Sequence, residues 1–234
     1  MKTVITICLC LFLQVLNTTA QQVWVWQNPL PQGTTLNDVF VLDPYTAVAV
    51  GNNGTILKTA DGGYVYAVYP DGTLKWRVLA ARERAVRSSP VIDTNGTVYT
   101  ATKAYSHSRP AEVLAINPDG TIQWRFTVES VHFTPDDVYT TPTLGADGLI
   151  YIAAETGFVN ALNKNGALNW KYNSQGGINW SSPAIIEDGT LYIGAMKNEG
   201  GALLALKTES MGYANTPWPA FRQNNRNNGR SEGF

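Results

Sequence analysis

Three tryptophans, Trp76, Trp124 and Trp170, stand 48 and 46 residues apart, and each closes the same local pattern. YVYAVYPDGTLKWRV (64–78), EVLAINPDGTIQWRF (112–126) and FVNALNKNGALNWKY (158–172) all run apolar, then Asp-Gly or Asn-Gly, then apolar again. Alternation is the period of strands, and the Asp-Gly or Asn-Gly pair supplies the positive φ angles of a tight hairpin turn. A degenerate fourth copy, ALLALKTES, begins at Ala202 and lacks the tryptophan. Between the copies lies a second hairpin unit opened by a hydroxyl pair and proline: SSPVIDTNGTVYTAT (88–102), TTPTLGADGLIYIAA (140–154) and SSPAIIEDGTLYIGA (181–195).

Two hairpins per period make four strands per period, and no stretch has the 3.6-residue periodicity and caps of a helix. A four-stranded unit of this length cannot bury both its faces alone. Stacking the units radially does so and protects their edges. The expected fold is therefore all-β: a β-propeller of four-stranded antiparallel blades, about four of them, at roughly 36–79, 88–127, 140–173 and 181–208. The last has three strands, and VWVWQN (23–28) alternates without a hairpin partner, so it is the candidate clasp strand that completes the last blade. The alternative is an open fragment that takes further blades from another chain.

The first twenty residues combine Lys2, an apolar run from Val4 to Leu16 and small residues at Thr18 and Ala20, the pattern of a secretory signal peptide. The expected organisation is thus a signal peptide (1–20), an N-terminal segment with the clasp and part of blade 1 (21–63), the repeats (64–210) and an extended tail (211–234). Both cysteines, Cys8 and Cys10, fall in the signal, so cysteine nucleophiles, thiolate zinc sites and structural disulfides are not expected in the mature chain. A net charge of −1 offers no basic stripe for nucleic acid. No later apolar run is long enough for a membrane span.

The hairpin with Ala115, Asp119-Gly120 and Trp124 resembles the repeat of pyrroloquinoline-quinone-like (PQQ-like) propellers, in which glycine precedes tryptophan by four positions. Gly72 with Trp76 and Gly166 with Trp170 keep that spacing. The resemblance implies that these tryptophans and glycines are blade-docking residues. Residues 26–63 (WQNPLPQGTTLNDVFVLDPYTAVAVGNNGTILKTADGG) instead resemble Ycf48-like propellers related to BNR (Asp-box) repeats. Thr59, Asp61 and Gly63 fit that box, but Tyr64, Val65 and Tyr66 follow where threonine and tryptophan are usual. The tail PWPAFRQNNRNNGRS (217–231) resembles a Trp-Pro-x-Phe-Arg segment that flanks PQQ-like propellers, with Trp218 and Phe221 as anchors.

Quinoprotein dehydrogenases of this superfamily rest their quinone on a tryptophan, often against a vicinal disulfide, with calcium and an aspartate base. The mature chain is expected to have no cysteine for the disulfide and has about half the usual number of blades, so no cofactor is expected, with pyrroloquinoline quinone and calcium kept as the alternative. His107 and His132 are the sole histidines. His132 stands near Asp136 and Asp137, which reads either as metal or acid–base chemistry or as a polar blade connection, and the connection is favoured. Asp71, Asp119, Asp147 and Asp188 each give their turn one carboxylate, too few for a calcium loop. Asn53, Asn95 and Asn179 match the glycosylation pattern, a point that matters in a eukaryote alone.

The pairs Ser88-Ser89, Thr140-Thr141 and Ser181-Ser182 recur without histidines at matching positions, so they are strand-start residues serving backbone groups rather than nucleophiles. Lys103, Tyr105, Arg109 and Trp180 are expected on loops and form a candidate partner surface. The leading expectation is an exported, non-enzymatic bacterial propeller, periplasmic or at the cell surface, that binds a protein or carbohydrate. A quinoprotein-like oxidoreductase or its remnant, and a fragment of a larger propeller, are the alternatives.

Overall fold

The computed structural model describes residues 36–43, 46–51, 63–68, 74–81, 86, 88–104, 106, 110–129, 137–197, 200–216 and 219–220, with the backbone alone for 36–51. The chain divides into units Met1–Gln32 and Gly33–Phe234, and every described residue belongs to the second. The expected signal segment 1–20, the candidate clasp strand 23–28, both histidines, Trp218 and Phe221 lie outside the described residues.

Four antiparallel sheets follow one another along the chain, and the described residues contain no helix. The first holds β1 (Leu36–Asp43), β2 (Thr46–Gly51), β3 (Tyr64–Val68) and β4 (Leu74–Leu79), paired in chain order. The second holds β5 (Val91–Ile92), β6 (Val98–Ala101), β7 (Glu112–Ile116) and β8 (Ile122–Thr127). In the third are β9 (Thr143–Leu144), β10 (Ile150–Ala153), β11 (Phe158–Leu162) and β12 (Leu168–Asn173). The fourth has three described strands, β13 (Ala184–Ile185), β14 (Thr190–Lys197) and β15 (Gly200–Lys207). This is the β-propeller the repeat period implies, with each sheet a blade.

In blades 2 and 3 the middle strands are buried on both faces because blades cover them from both sides. Every residue of β6 and β10 is buried. The outer β8 alternates between half-buried and exposed, as a strand with one covered face must. One core cluster joins blades 1, 2 and 3 through Val65, Ala67, Leu114, Ala115, Ile150 and Ile152. A second joins blades 3 and 4 through Tyr151, Val159, Ala161, Leu191 and Ile193.

The hairpin turns differ from the tight two-residue form expected from Asp-Gly and Asn-Gly. At 117–121, Gly120 N–H bonds Asn117 O at 2.9 Å, Asn117 N–H bonds Thr121 O at 2.8 Å, and the glycine alone takes positive φ, +88°. That is a type I turn closed by a glycine bulge, in which Asp119 stays right-handed. Its carboxylate accepts Thr121 N–H at 2.9 Å and the Thr121 hydroxyl at 2.6 Å, and the hydroxyl bond holds its pKa below the ordinary range. The register shift beside each turn recurs at Ala67/Val68, Ala115/Ile116 and Ala161/Leu162, and it sets Trp76, Trp124 and Trp170 opposite alanines.

Two buried tyrosines make the core sensitive to alkali. Tyr99 donates to Asp93 Oδ2 at 3.1 Å and Tyr151 donates to Asp147. Burial is the largest cause pushing both phenols above their ordinary value; the Asp93 charge adds to it at Tyr99, and the Asp147 bond at Tyr151. Below pH 10 this stabilisation is fully present. As pH rises further the unfolded tyrosines ionise first, and stability falls. Wild-type protein should lose thermal stability above about pH 10, and Tyr99→Phe should flatten that loss, as read by melting curves between pH 8 and 11.5.

Candidate functional site

In an antiparallel sheet whose strands pair in chain order, the first-to-second and third-to-fourth connections leave one end. The second-to-third connection and the step to the next sheet leave the other. At the first end lie the short turns 93–97, 117–121, 145–149, 163–167 and 186–189. The described residues of the longer connections 102–111, 128–142 and 174–183 fall at the second. The propeller therefore has a turn face and a loop face.

The turn face is where the blades lock. Trp76 of blade 1 donates its indole N–H to Pro118 O of blade 2 at 2.9 Å, and Trp124 of blade 2 donates to Lys164 O of blade 3 at 2.8 Å. Each ring packs against a turn glycine. A Cβ on Gly120 would come within 2.8 Å of Trp76, and one on Gly166 within 2.6 Å of Trp124, closer than real side chains approach. Tyr99 supports Trp124 from behind at 5.9 Å between centroids, and Tyr151 supports Trp170 at 5.7 Å. Trp170 packs against the core cluster shared by blades 3 and 4, as do Leu204 and Leu206 of blade 4, where Ser210 stands at the repeat position of the turn glycine. Gly72 lies outside the described residues.

Asp137 organises the loop face. Its buried carboxylate accepts Ala104 N–H at 2.8 Å and the Tyr139 hydroxyl at 2.6 Å, and Lys103 Nζ stands 3.4 Å away. Its carbonyl accepts Glu155 N–H of blade 3 at 2.8 Å. Glu155 O in turn accepts Ile178 N–H at 3.1 Å, and Gly177 O accepts Met196 N–H of blade 4 at 2.7 Å. One hydrogen-bonded run thus crosses three blades. The oxygens of Asp137 make the contacts of a blade connection; His132 and Asp136, on which the metal reading also rests, lie outside the described residues.

On this base stands Trp180. Its ring stacks on Tyr139 at 4.4 Å and 27°, yet the residue is 66% exposed. Its backbone takes φ of +60°, a left-handed conformation rare for a bulky residue. Such strain persists when surrounding contacts impose it, and it concentrates at binding sites. Asn179 beside it donates to Met196 Sδ at 3.6 Å, and Met196 is itself 60% exposed.

The hydroxyl pairs serve backbone groups. Thr140 Oγ1 donates to Ala153 O at 2.7 Å, Ser181 Oγ accepts Gly194 N–H at 2.8 Å, and Ser182 Oγ accepts Thr141 N–H of the preceding blade at 2.9 Å. Asp119, Asp147 and Asp188 spend a carboxylate oxygen on the backbone N–H two residues on. Of the expected loop surface, Lys103 and Trp180 lie on the loop face, while Tyr105 and Arg109 fall outside the described residues. Sequence reading missed Tyr139 and Met196, since a lone tyrosine and methionine carry no pattern. After blade 4 the chain returns to blade 3, where Ala214 N–H bonds Leu144 O at 2.8 Å and Leu144 N–H bonds Pro219 O at 2.7 Å.

Residues 61–210 match the model of the PQQ_2 family, described as outer membrane protein assembly factor BamB. No curated protein sequence matches the chain significantly. Among solved structures, a Bacteroides caccae protein of unknown function aligns with a TM-score of 0.53 and 17% identity, covering 81% of this chain and 62% of its own. Virginiamycin B lyase from Staphylococcus aureus aligns at 0.52 and 16%, covering 76% and 57%. BamB from Moraxella catarrhalis aligns at 0.49 and 18%, covering 77% and 50%. At these identities the likeness to the first two speaks for the fold alone, and the chain spans roughly half to three fifths of the length of these structures.

Proposed function

The chain belongs to the PQQ_2 family, described as outer membrane protein assembly factor BamB, and from that premise we propose that it is a non-enzymatic scaffold holding another protein on its loop face. The observation that carries this reading is Trp180, an exposed aromatic fixed in a strained backbone and braced by Tyr139. Rigid aromatics of this kind are common binding anchors, because they bury large area at small entropic cost. The propeller contributes a frame on which the loops vary freely.

Export fits the signal-like residues 1–20 and a periplasmic or cell-surface place; N-terminal sequencing of the exported protein should begin at Gln21. On this reading the chain uses no quinone or calcium, so adding pyrroloquinoline quinone with calcium should produce neither a bound chromophore nor dye-linked alcohol oxidation. Stoichiometric binding with turnover would replace the scaffold by an oxidoreductase. The face itself is tested by a photo-crosslinking residue placed at 180 or, as control, at 119 on the turn face, in producing cells. Discrete protein adducts from 180 alone are expected, and equal adducts from both, or none from 180, would refute the assignment.

A further inference from the structure

Beyond β15 the chain lies along the edge of β9 that faces away from β10. Ala146 N–H bonds Gly212 O at 3.1 Å, Ala214 N–H bonds Leu144 O at 2.8 Å, and Leu144 N–H bonds Pro219 O at 2.7 Å. Gly145 and Tyr213 pair as an antiparallel bridge between the first two of these bonds. Main chain thus takes up the edge groups that a first strand leaves open, which is the pattern of an added strand. Side chains seat the same segment. Ala214 packs on the core cluster of blades 1 to 3 and Tyr213 on that of blades 3 and 4, where its hydroxyl hydrogen-bonds the backbone of Ile185.

The β9 edge is shaped for this approach. The repeats put Asp93 and Ile186 where blade 3 has Gly145. A Cβ on Gly145 would come within 2.5 Å of Ser210 Oγ, besides crowding Asp147 and Tyr151 of its own blade. A side chain at 145 would therefore hold the segment off, and at Ile92, the blade 2 counterpart of Leu144, no described segment bonds the same edge. The segment is uncharged throughout, SMGYANTPWPAF over 210–221, so backbone bonds and apolar contacts carry its hold. It also fits imperfectly. Thr216 is 8% exposed and its Oγ1 has no hydrogen-bond partner, a cost of the kind that buried polar groups in a settled core avoid. The blade's own ladder is complete without it, with Thr143 paired to Tyr151 and Leu144 to Ile150.

We propose that the β9 edge is a peptide-binding site for an extended, uncharged segment with a tyrosine followed by a small residue, and that this chain fills it with its own tail. The site is independent of the loop-face reading. Its test uses the full chain carrying Ala214→Pro, which removes the N–H that Leu144 O accepts and leaves the blade ladders intact, with a fluorescein-labelled peptide of residues 210–221. Saturable binding to the variant is expected, and binding to wild type should be at least ~10-fold weaker, because the tethered tail competes at high effective concentration. The peptide carrying the same proline should bind neither chain. By hydrogen exchange, the Leu144 and Ala146 amides should be slow in wild type, fast in the variant and slow again with the parent peptide. If circular dichroism shows Ala214→Pro unfolded, Tyr213→Ala, which keeps the backbone bonds, is titrated in its place. No binding to either variant, equal binding to wild type, or a proline peptide that binds as well as the parent would overturn the proposal. Loss of folding in both variants would do so too, by making the tail part of the core.

Discussion

Trp124→Ala is expected to lower the unfolding free energy by about 3 kcal/mol, the usual scale for removing a large packed aromatic. The loss has three sources in the structure: the ring's cover over Gly166, the indole bond to Lys164 O, and the tilted contact with Tyr99. The first two join blade 2 to blade 3 and the third holds the ring within blade 2, so the damage should spread beyond one hairpin and appear as a lowered denaturant midpoint of the whole transition. The partner variant Gly166→Ala should also destabilise, because φ is +83° there and the added Cβ meets the ring at 2.6 Å. Combined with Trp124→Ala the clash disappears, so the double variant should cost less than the sum of the two singles. Additivity would show that ring and glycine act independently. Unchanged stability of Trp124→Ala with lost partner binding would place the tryptophan in a binding site.

Asp137→Ala should cost a comparable amount, about 3 kcal/mol, through a different mechanism. It strips the buried Ala104 N–H and the Tyr139 hydroxyl of their acceptor and leaves Lys103 without its carboxylate. Asp137→Asn keeps an acceptor but loses the charge and should fall between wild type and alanine. The functional consequence travels through Tyr139, whose ring supports Trp180. Crosslinking from position 180 should therefore weaken in Asp137→Ala, whereas Trp124→Ala, on the opposite face, should reduce it only as far as it unfolds the protein. Equal crosslinking in all three at a temperature where each is folded would separate the loop face from Asp137.

Both variants bear on what could be read in advance. The blades were legible because a strand repeat announces itself twice, by alternation and by period. The three-strand end of blade 4 was legible because its tryptophan is missing. Turn type was read less well. Asp-Gly serves both a two-residue hairpin and a type I turn with a glycine bulge, and the choice is made by the strand register around it, as at Ala115/Ile116. At the candidate site, Trp180 and Lys103 stood out as loop residues. Tyr139 had no signal, since its role depends on a stack formed across 41 positions of chain.

By itself the sequence determined the repeating unit: four strands, glycine-bearing turns, and a tryptophan at a fixed distance. Those are local properties, carried by side-chain alternation and by the residue type that takes positive φ without strain. What tertiary structure alone decided is which end of each blade is frame and which is surface, and which blade lacks a cover. Leu203 and Val159 hold the same repeat position and are both apolar, yet one is exposed and the other buried. The difference lies in the neighbouring blade, and burial depends on what surrounds a residue as much as on the residue itself.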